Sequence, residues 1–250
     1  MNKETRLTWV IKPLVHVAAL APVGWLVWLG LTGQFGPNPA EFINRYTGDW
    51  AIRLLLIALA VTPVRRITGL ALVMRFRRML GLYAFFYALL HVASYVALDQ
   101  YFAWAAIWQD ILKRNYITVG MLGLVILTAL AVTSPKAMVK KLGGRNWQRL
   151  HKLVYLAAIA APVHFFMMRK GFQIEPLVYG GIAGLLLAYR AAAWMKTRLR
   201  ARRTFRRPDR RRPLRAGRHL FRLWWINSIH MAWEMNGHSH FFHCSGKPWA

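Results

Sequence analysis

Acidic residues are scarce in this chain. Its 250 residues include 8 Asp and Glu against 35 Lys and Arg, a formal charge of +27. Taken alone, that imbalance would suggest a nucleic-acid partner. The basic residues, however, fall between apolar blocks and in the C-terminal stretch, as they do in positive-inside membrane loops, so no nucleic acid is expected. Charge of either sign is limited to 17% of the residues while 56% are hydrophobic, which argues against a soluble protein. Cysteine is nearly absent, and the single Cys244 excludes an internal disulfide framework. No small-residue cleavage site follows the first apolar run. Residues 9–31 are too long for a signal-peptide core and read as a retained first helix. There is also no G-x-G-x-x-G fingerprint and no strand-rich stretch, so the chain carries no dinucleotide-binding module of its own.

What the sequence has is a series of apolar runs. The pattern predicts an all-α integral membrane bundle of six helices over residues 1–197. The spans run from Trp9 to Leu31, over residues 50–63 with a contribution from 41–49, from Met79 to Leu98, Ile117 to Val132, Leu150 to Met168 and Pro176 to about Trp194. Asp99 to Tyr116 reads as an aromatic-rich loop, with Trp104, Trp108 and Tyr116 suited to a membrane interface. Basic loops follow the second span (Arg65, Arg66, Arg75, Arg77, Arg78) and the fourth (Lys136, Lys140, Lys141, Arg145, Arg149). The positive-inside rule then puts both termini in the cytoplasm. Residues 198–250 begin as an arginine run and read as a disordered cytoplasmic tail drawn to anionic lipid. His238, His240, His243 and Cys244 form a short tract there with no flanking ligand cluster, and are set aside as a metal site.

Histidine within a membrane span is rare and reads as functional by default. His91 lies roughly 18 Å, and His164 roughly 21 Å, from the cytoplasmic ends of their helices at about 1.5 Å per residue. Both helices run outward, so the two rings share a height in the outer half of the membrane. Two imidazoles at one height can ligate one haem iron from opposite faces, leaving no open position for oxygen, which suits electron transfer. His151 falls at the cytoplasmic edge, where the residues at its height on the third span are Arg77 and Arg78. Three readings stay open there: no second haem, a second haem with unusual ligation, or arginines that hold propionates. A histidine meeting headgroups or water is a further alternative. Residues 151 and 164 would point about 140° apart on one ideal helix, which fits two sites better than one. His16 reads as a hydrogen-bonded bridge between helices. Tyr83, Tyr87 and Tyr95 read as packing and interface aromatics.

Several stretches together resemble one bacterial family: Arg77-Arg78-Met79-Leu80-Gly81-Leu82, Tyr87 to His91, Trp147 to Tyr155, and His164-Phe165. The resemblance, over about residues 5–200, is to the haem-binding membrane subunits of the periplasmic methionine sulfoxide reductase system, the MsrQ/YedZ family, within the ferric-reductase-like transmembrane group. It implies haem b (one or two), an FMN, a place in the bacterial inner membrane, and electrons from the quinone pool or a cytosolic flavin reductase. Those electrons pass to a periplasmic molybdopterin subunit that repairs oxidised methionines. The family's haem ligands map onto His91, His151 and His164. No residue here maps onto an FMN site, and residues from about 204 onward do not resemble the family. The competing expectation is a haem-free transporter or structural subunit whose histidines only pack helices.

Overall fold

A computed structural model describes residues 3–169 and 173–205. The disordered tail predicted from residue 198 falls outside these residues beyond 205, and so do His238, His240, His243 and Cys244. The chain divides into two units, Met1–Lys196 and Thr197–Ala250, and the account below concerns the first.

The described residues are helical throughout, without strands. The longer helices are α1 (Lys3–Leu31), α2 (Pro39–Thr68), α3 (Met74–Ser94), α4 (Trp104–Lys113), α5 (Asn115–Val132), α6 (Lys136–Leu142), α7 (Gly144–His151), α8 (Val154–Met168) and α9 (Ile174–Phe205). Among the described residues, five segments are long and apolar enough to cross a membrane: Leu7–Leu31, Ala71–Asp99, Asn115–Val132, Gly144–Met168 and Ile174–Leu199.

The central element is α2, whose 30 residues span about 45 Å. Asn38 caps it, its side-chain oxygen accepting from the Glu41 N–H at 3.2 Å, and Gly69 ends it in the left-handed conformation at φ 73°. One stripe of α2, with Ile52, Leu56 and Leu59, packs on Ala158 of α8 and on Ala183 and Leu186 of α9. Another, with Leu54 and Leu55, packs on Ala84 and Tyr87 of α3. A third cluster joins Ile126 and Leu130 of α5 to Ala157 of α8. Alanines 157, 158 and 160 make α8 thin where it meets α2 and α5, the small-residue solution for helices that gain little from the hydrophobic effect in lipid. By contrast, α1 keeps Trp9, Val10, Leu14 and Val17 exposed, as a lipid-facing helix does.

A proline inside α2 creates an acceptor that another helix uses. Pro63 has no N–H for the Leu59 carbonyl, and Arg190 of α9 donates to that oxygen at 2.8 Å. The same guanidinium donates to Thr62 Oγ1 (3.1 Å) and to the Tyr155 hydroxyl (2.9 Å). Tyr87, fully buried, donates to the Ala19 carbonyl at 2.8 Å and fastens α3 to α1.

The structure corrects three local expectations. The stretch Asp99 to Tyr116 is not a plain loop but contains α4. Apolar residues at 104, 107, 108, 111 and 112 recur at helical spacing. A π-helical turn, Tyr95–Asp99, leads into it, followed by Tyr101 and Phe102 at φ 46° and 61°, a left-handed pair that costs side-chain-bearing residues energy. The basic loop after α5 is also helical, as α6 and α7. His151 and His164 do not share one helix, because α7 ends at His151. Bonds from the N–H groups of Lys152 and Leu153 to the carbonyls of Arg149 and Leu150 tighten the chain there before α8 begins.

Candidate functional site

His91 of α3 and His164 of α8 come together, with ring centroids 6.1 Å apart and planes at 80°. Each ring is fixed in the same way. His91 Nδ1 lies 2.9 Å from the Asn44 carbonyl of α2, and His164 Nδ1 lies 2.6 Å from the Tyr116 carbonyl of α5. A carbonyl only accepts, so both Nδ1 atoms carry the proton and donate. That choice of tautomer leaves Nε2 of both rings as bare lone-pair donors.

Close approach is possible because a glycine lies one turn beyond each carbonyl. A Cβ on Gly48 would sit 3.1 Å from His91 Nδ1, and a Cβ on Gly120 would sit 2.9 Å from His164 Cε1 and Nδ1. The pairs Asn44–Gly48 and Tyr116–Gly120 thus form one repeated device, a carbonyl to orient the ring and a missing side chain to admit it. The α2–α3 and α5–α8 pairs each carry one copy.

Both rings line a cavity of about 990 Å³. Its walls are mainly apolar, with Ile52, Leu55, Leu124, Leu127 and Ala161 among them. The size is at the upper end for small-molecule sites. Among the described residues no three His, Cys, Asp or Glu gather to hold a bare metal ion. Two imidazoles beside a large apolar space suit a metal that brings its own equatorial ligands, as an iron porphyrin does. A metal lies about 2 Å from an imidazole nitrogen and the ring centre about 1 Å further, so rings on opposite sides of one ion have centres roughly 6 Å apart. The 6.1 Å between the His91 and His164 ring centres is compatible with that distance.

The remaining sequence-predicted residues lie elsewhere. His151 stacks on Trp147 at 4.0 Å, and its Nε2 is 3.1 Å from Thr133 Oγ1. The Thr133 hydroxyl donates its proton to the Ala129 carbonyl at 2.6 Å, so it accepts from His151 Nε2–H, and Nδ1 of His151 is the free nitrogen. Arg77 and Arg78 are within electrostatic reach of His151. His151 does not join the His91–His164 pair. His16 lies 2.6 Å through Nδ1 from the Tyr83 hydroxyl, which bridges α1 to α3.

A ferric reductase like transmembrane component model matches residues 47–162, a stretch that contains His91 and ends two residues before His164. A Rhodospirillum rubrum protein named protein-methionine-sulfoxide reductase heme-binding subunit MsrQ is 48% identical over 195 residues, covering 78% of this chain and 92% of its own. This chain belongs to the MsrQ family. A protein of the same name from Xanthomonas euvesicatoria pv. vesicatoria is 47% identical over 210 residues, covering 82% of this chain and 94% of the relative. One from Caulobacter vibrioides is 44% identical over 177 residues, covering 71% and 84%. MsrQ membership fits a site built from two oriented imidazoles and an apolar cavity. Sequence reasoning found the two histidines but missed Gly48, Gly120 and the Asn44 and Tyr116 carbonyls. A lone glycine in an apolar run carries no mark of what approaches it, and a carbonyl carries no sequence signal at all.

Proposed function

We propose that this chain is a transmembrane electron carrier. In this reading haem b is held by His91 and His164, and electrons pass to the catalytic subunit of a periplasmic methionine sulfoxide reductase. The observation that carries the reading is the pair of imidazoles with both Nδ1–H groups committed to backbone carbonyls, 6.1 Å apart beside the cavity. Bound there, haem would supply a one-electron centre, and His91 and His164 would be the residues that hold it. The Asn44 and Tyr116 carbonyls hold the rings in the ligating tautomer and make them more basic. The apolar walls keep water from the site.

The chain crosses the bacterial inner membrane six times in this proposal, with α2 as the second crossing and both termini cytoplasmic. Support comes from the basic residues at the α2–α3 connection and in α6–α7, which gather at alternate connections. Electrons enter from the quinone pool or a cytosolic flavin donor, since the sequence carries no nucleotide-binding fingerprint. His151, with Arg77 and Arg78, is a separate site on the inner side, suited to a second haem or to the phosphate of an FMN.

The test is haem and iron content with the optical and electron paramagnetic resonance spectra of the purified protein. The wild type is expected to show a low-spin six-coordinate haem. His91→Ala and His164→Ala are each expected to lose that signal, with haem content falling or turning high-spin. His91→Ala or His164→Ala protein with the wild-type haem content and spectrum would remove the pair as ligands.

A further inference from the structure

We propose that Arg45 and Arg114 are the anchors for the two haem propionates, which sets the carboxylate edge of the porphyrin at the N-terminal ends of α2 and α5. This inference rests on the ligation proposed above. Of the residues that line the cavity, Arg45 and Arg114 alone carry a guanidinium or ammonium group. Each lies within a turn of a carbonyl that orients a histidine. Arg45 follows Asn44 directly, and Arg114 precedes Tyr116 by two residues. The two arginines therefore stand one in each half of the site. A haem has two carboxylates, and burying either without a cation is unfavourable.

The arginines are also easy to redirect. Arg45 Nη1 pairs with Glu41 Oε1 at 3.1 Å, and Arg114 Nε pairs with Asp110 Oδ1 at 3.0 Å. Both are i,i+4 pairs, and both arginine side chains are half-exposed. Such exposed pairs contribute little to stability. Neither acid is stranded when its arginine turns away. Glu41 Oε2 still accepts from Asn38 Nδ2 at 3.1 Å, and Asp110 Oδ2 accepts from the Tyr95 hydroxyl at 2.8 Å and Gln100 Nε2 at 2.9 Å. A charge-assisted bond from guanidinium to carboxylate is stronger than the exposed pair it replaces. Asp49 and Asp99 are the acids on the cavity wall, and Asp49 lies within electrostatic reach of Arg45.

The experiment compares release of haem b and of its dimethyl ester, which lacks both charges, from the full-length protein in detergent. Release is timed by transfer to excess apomyoglobin, for the wild type and for Arg45→Gln, Arg114→Gln and the double variant. The wild type is expected to release the ester roughly tenfold or more faster than haem b. Each single substitution shrinks that ratio, the double variant brings it close to one, and lysine at either position restores part of it. A wild type that releases both porphyrins at one rate, or a double variant that keeps the full ratio, overturns the proposal. Should the glutamine variants fail to assemble, the wild-type ratio and the Arg→Lys variants still decide. Failure of the underlying ligation shows separately, as an unchanged low-spin spectrum in His91→Ala or His164→Ala, whatever the release ratio.

Discussion

At the residue scale, the site depends on what two glycines omit. A Cβ at position 120 would stand 2.9 Å from the His164 ring, closer than carbon packs against an imidazole, while at position 48 the nearest approach to His91 is 3.1 Å. Gly120→Ala must therefore push His164 off the Tyr116 carbonyl or move α8 away from α5, at roughly 1–3 kcal/mol. We expect Gly120→Ala to lower haem retention and to raise the high-spin fraction, and Gly48→Ala to do the same to a smaller extent. Titration of haem into the two variants, followed at the Soret band, checks the order. Equal, wild-type affinity in both would show that the glycines are not what lets the rings in. The histidines were legible in the sequence because imidazole in an apolar run is rare. The glycines were not, because a residue selected for the space it leaves looks like any other small residue.

At the element scale, α2 unites the molecule. It lends Asn44 and Gly48 to the site, Leu54 and Leu55 to α3, and Ile52 and Leu59 to α8 and α9. The sequence shows only a short apolar core over residues 50–63. The helix extends well beyond it at both ends because Asn38 caps one end, Gly69 closes the other, and Arg190 takes up the carbonyl that Pro63 leaves open. Asp49 and Arg53 break the hydropathy of α2, and Arg53 Nε donates to the Tyr179 hydroxyl at 2.8 Å. Replacing Arg190 by Met strands the Leu59 oxygen and removes the bond to Tyr155. We expect a loss of roughly 1–3 kcal/mol, read as a lower thermal unfolding midpoint in detergent, with the His91–His164 spectrum retained below that midpoint. The sequence pattern also hid α4, α6 and α7. Short helices in the connections have too few residues to stand out against the aromatic or basic composition around them. The break between His151 and Val154 has no proline or glycine to announce it. Just before it, Thr133 holds Trp147 Nε1 through its carbonyl and His151 Nε2 through its hydroxyl.

At the scale of the whole molecule, the apolar blocks made the all-helical membrane class legible, and the charges between them suggested an orientation. Reporter fusions after residues 72 and 142 test that orientation. Alkaline phosphatase joined at either position is expected to be inactive, because both connections face the cytoplasm. Activity at either would reverse or break the six-crossing topology. The meeting of His91 and His164 could be anticipated only as equal height on two helices, since sequence spacing says nothing about which faces two helices turn to each other. That meeting is where the functional account is concentrated, and electron transfer to a partner is its central claim. The most direct measurement is stopped-flow oxidation of the dithionite-reduced, haem-loaded protein on mixing with the oxidised catalytic subunit of a periplasmic methionine sulfoxide reductase. The account predicts reoxidation of the haem well above the rate in buffer, and loss of that reaction when His91 or His164 is replaced. Reduced haem that persists at the buffer rate, with both histidines intact and the catalytic subunit active, would contradict it.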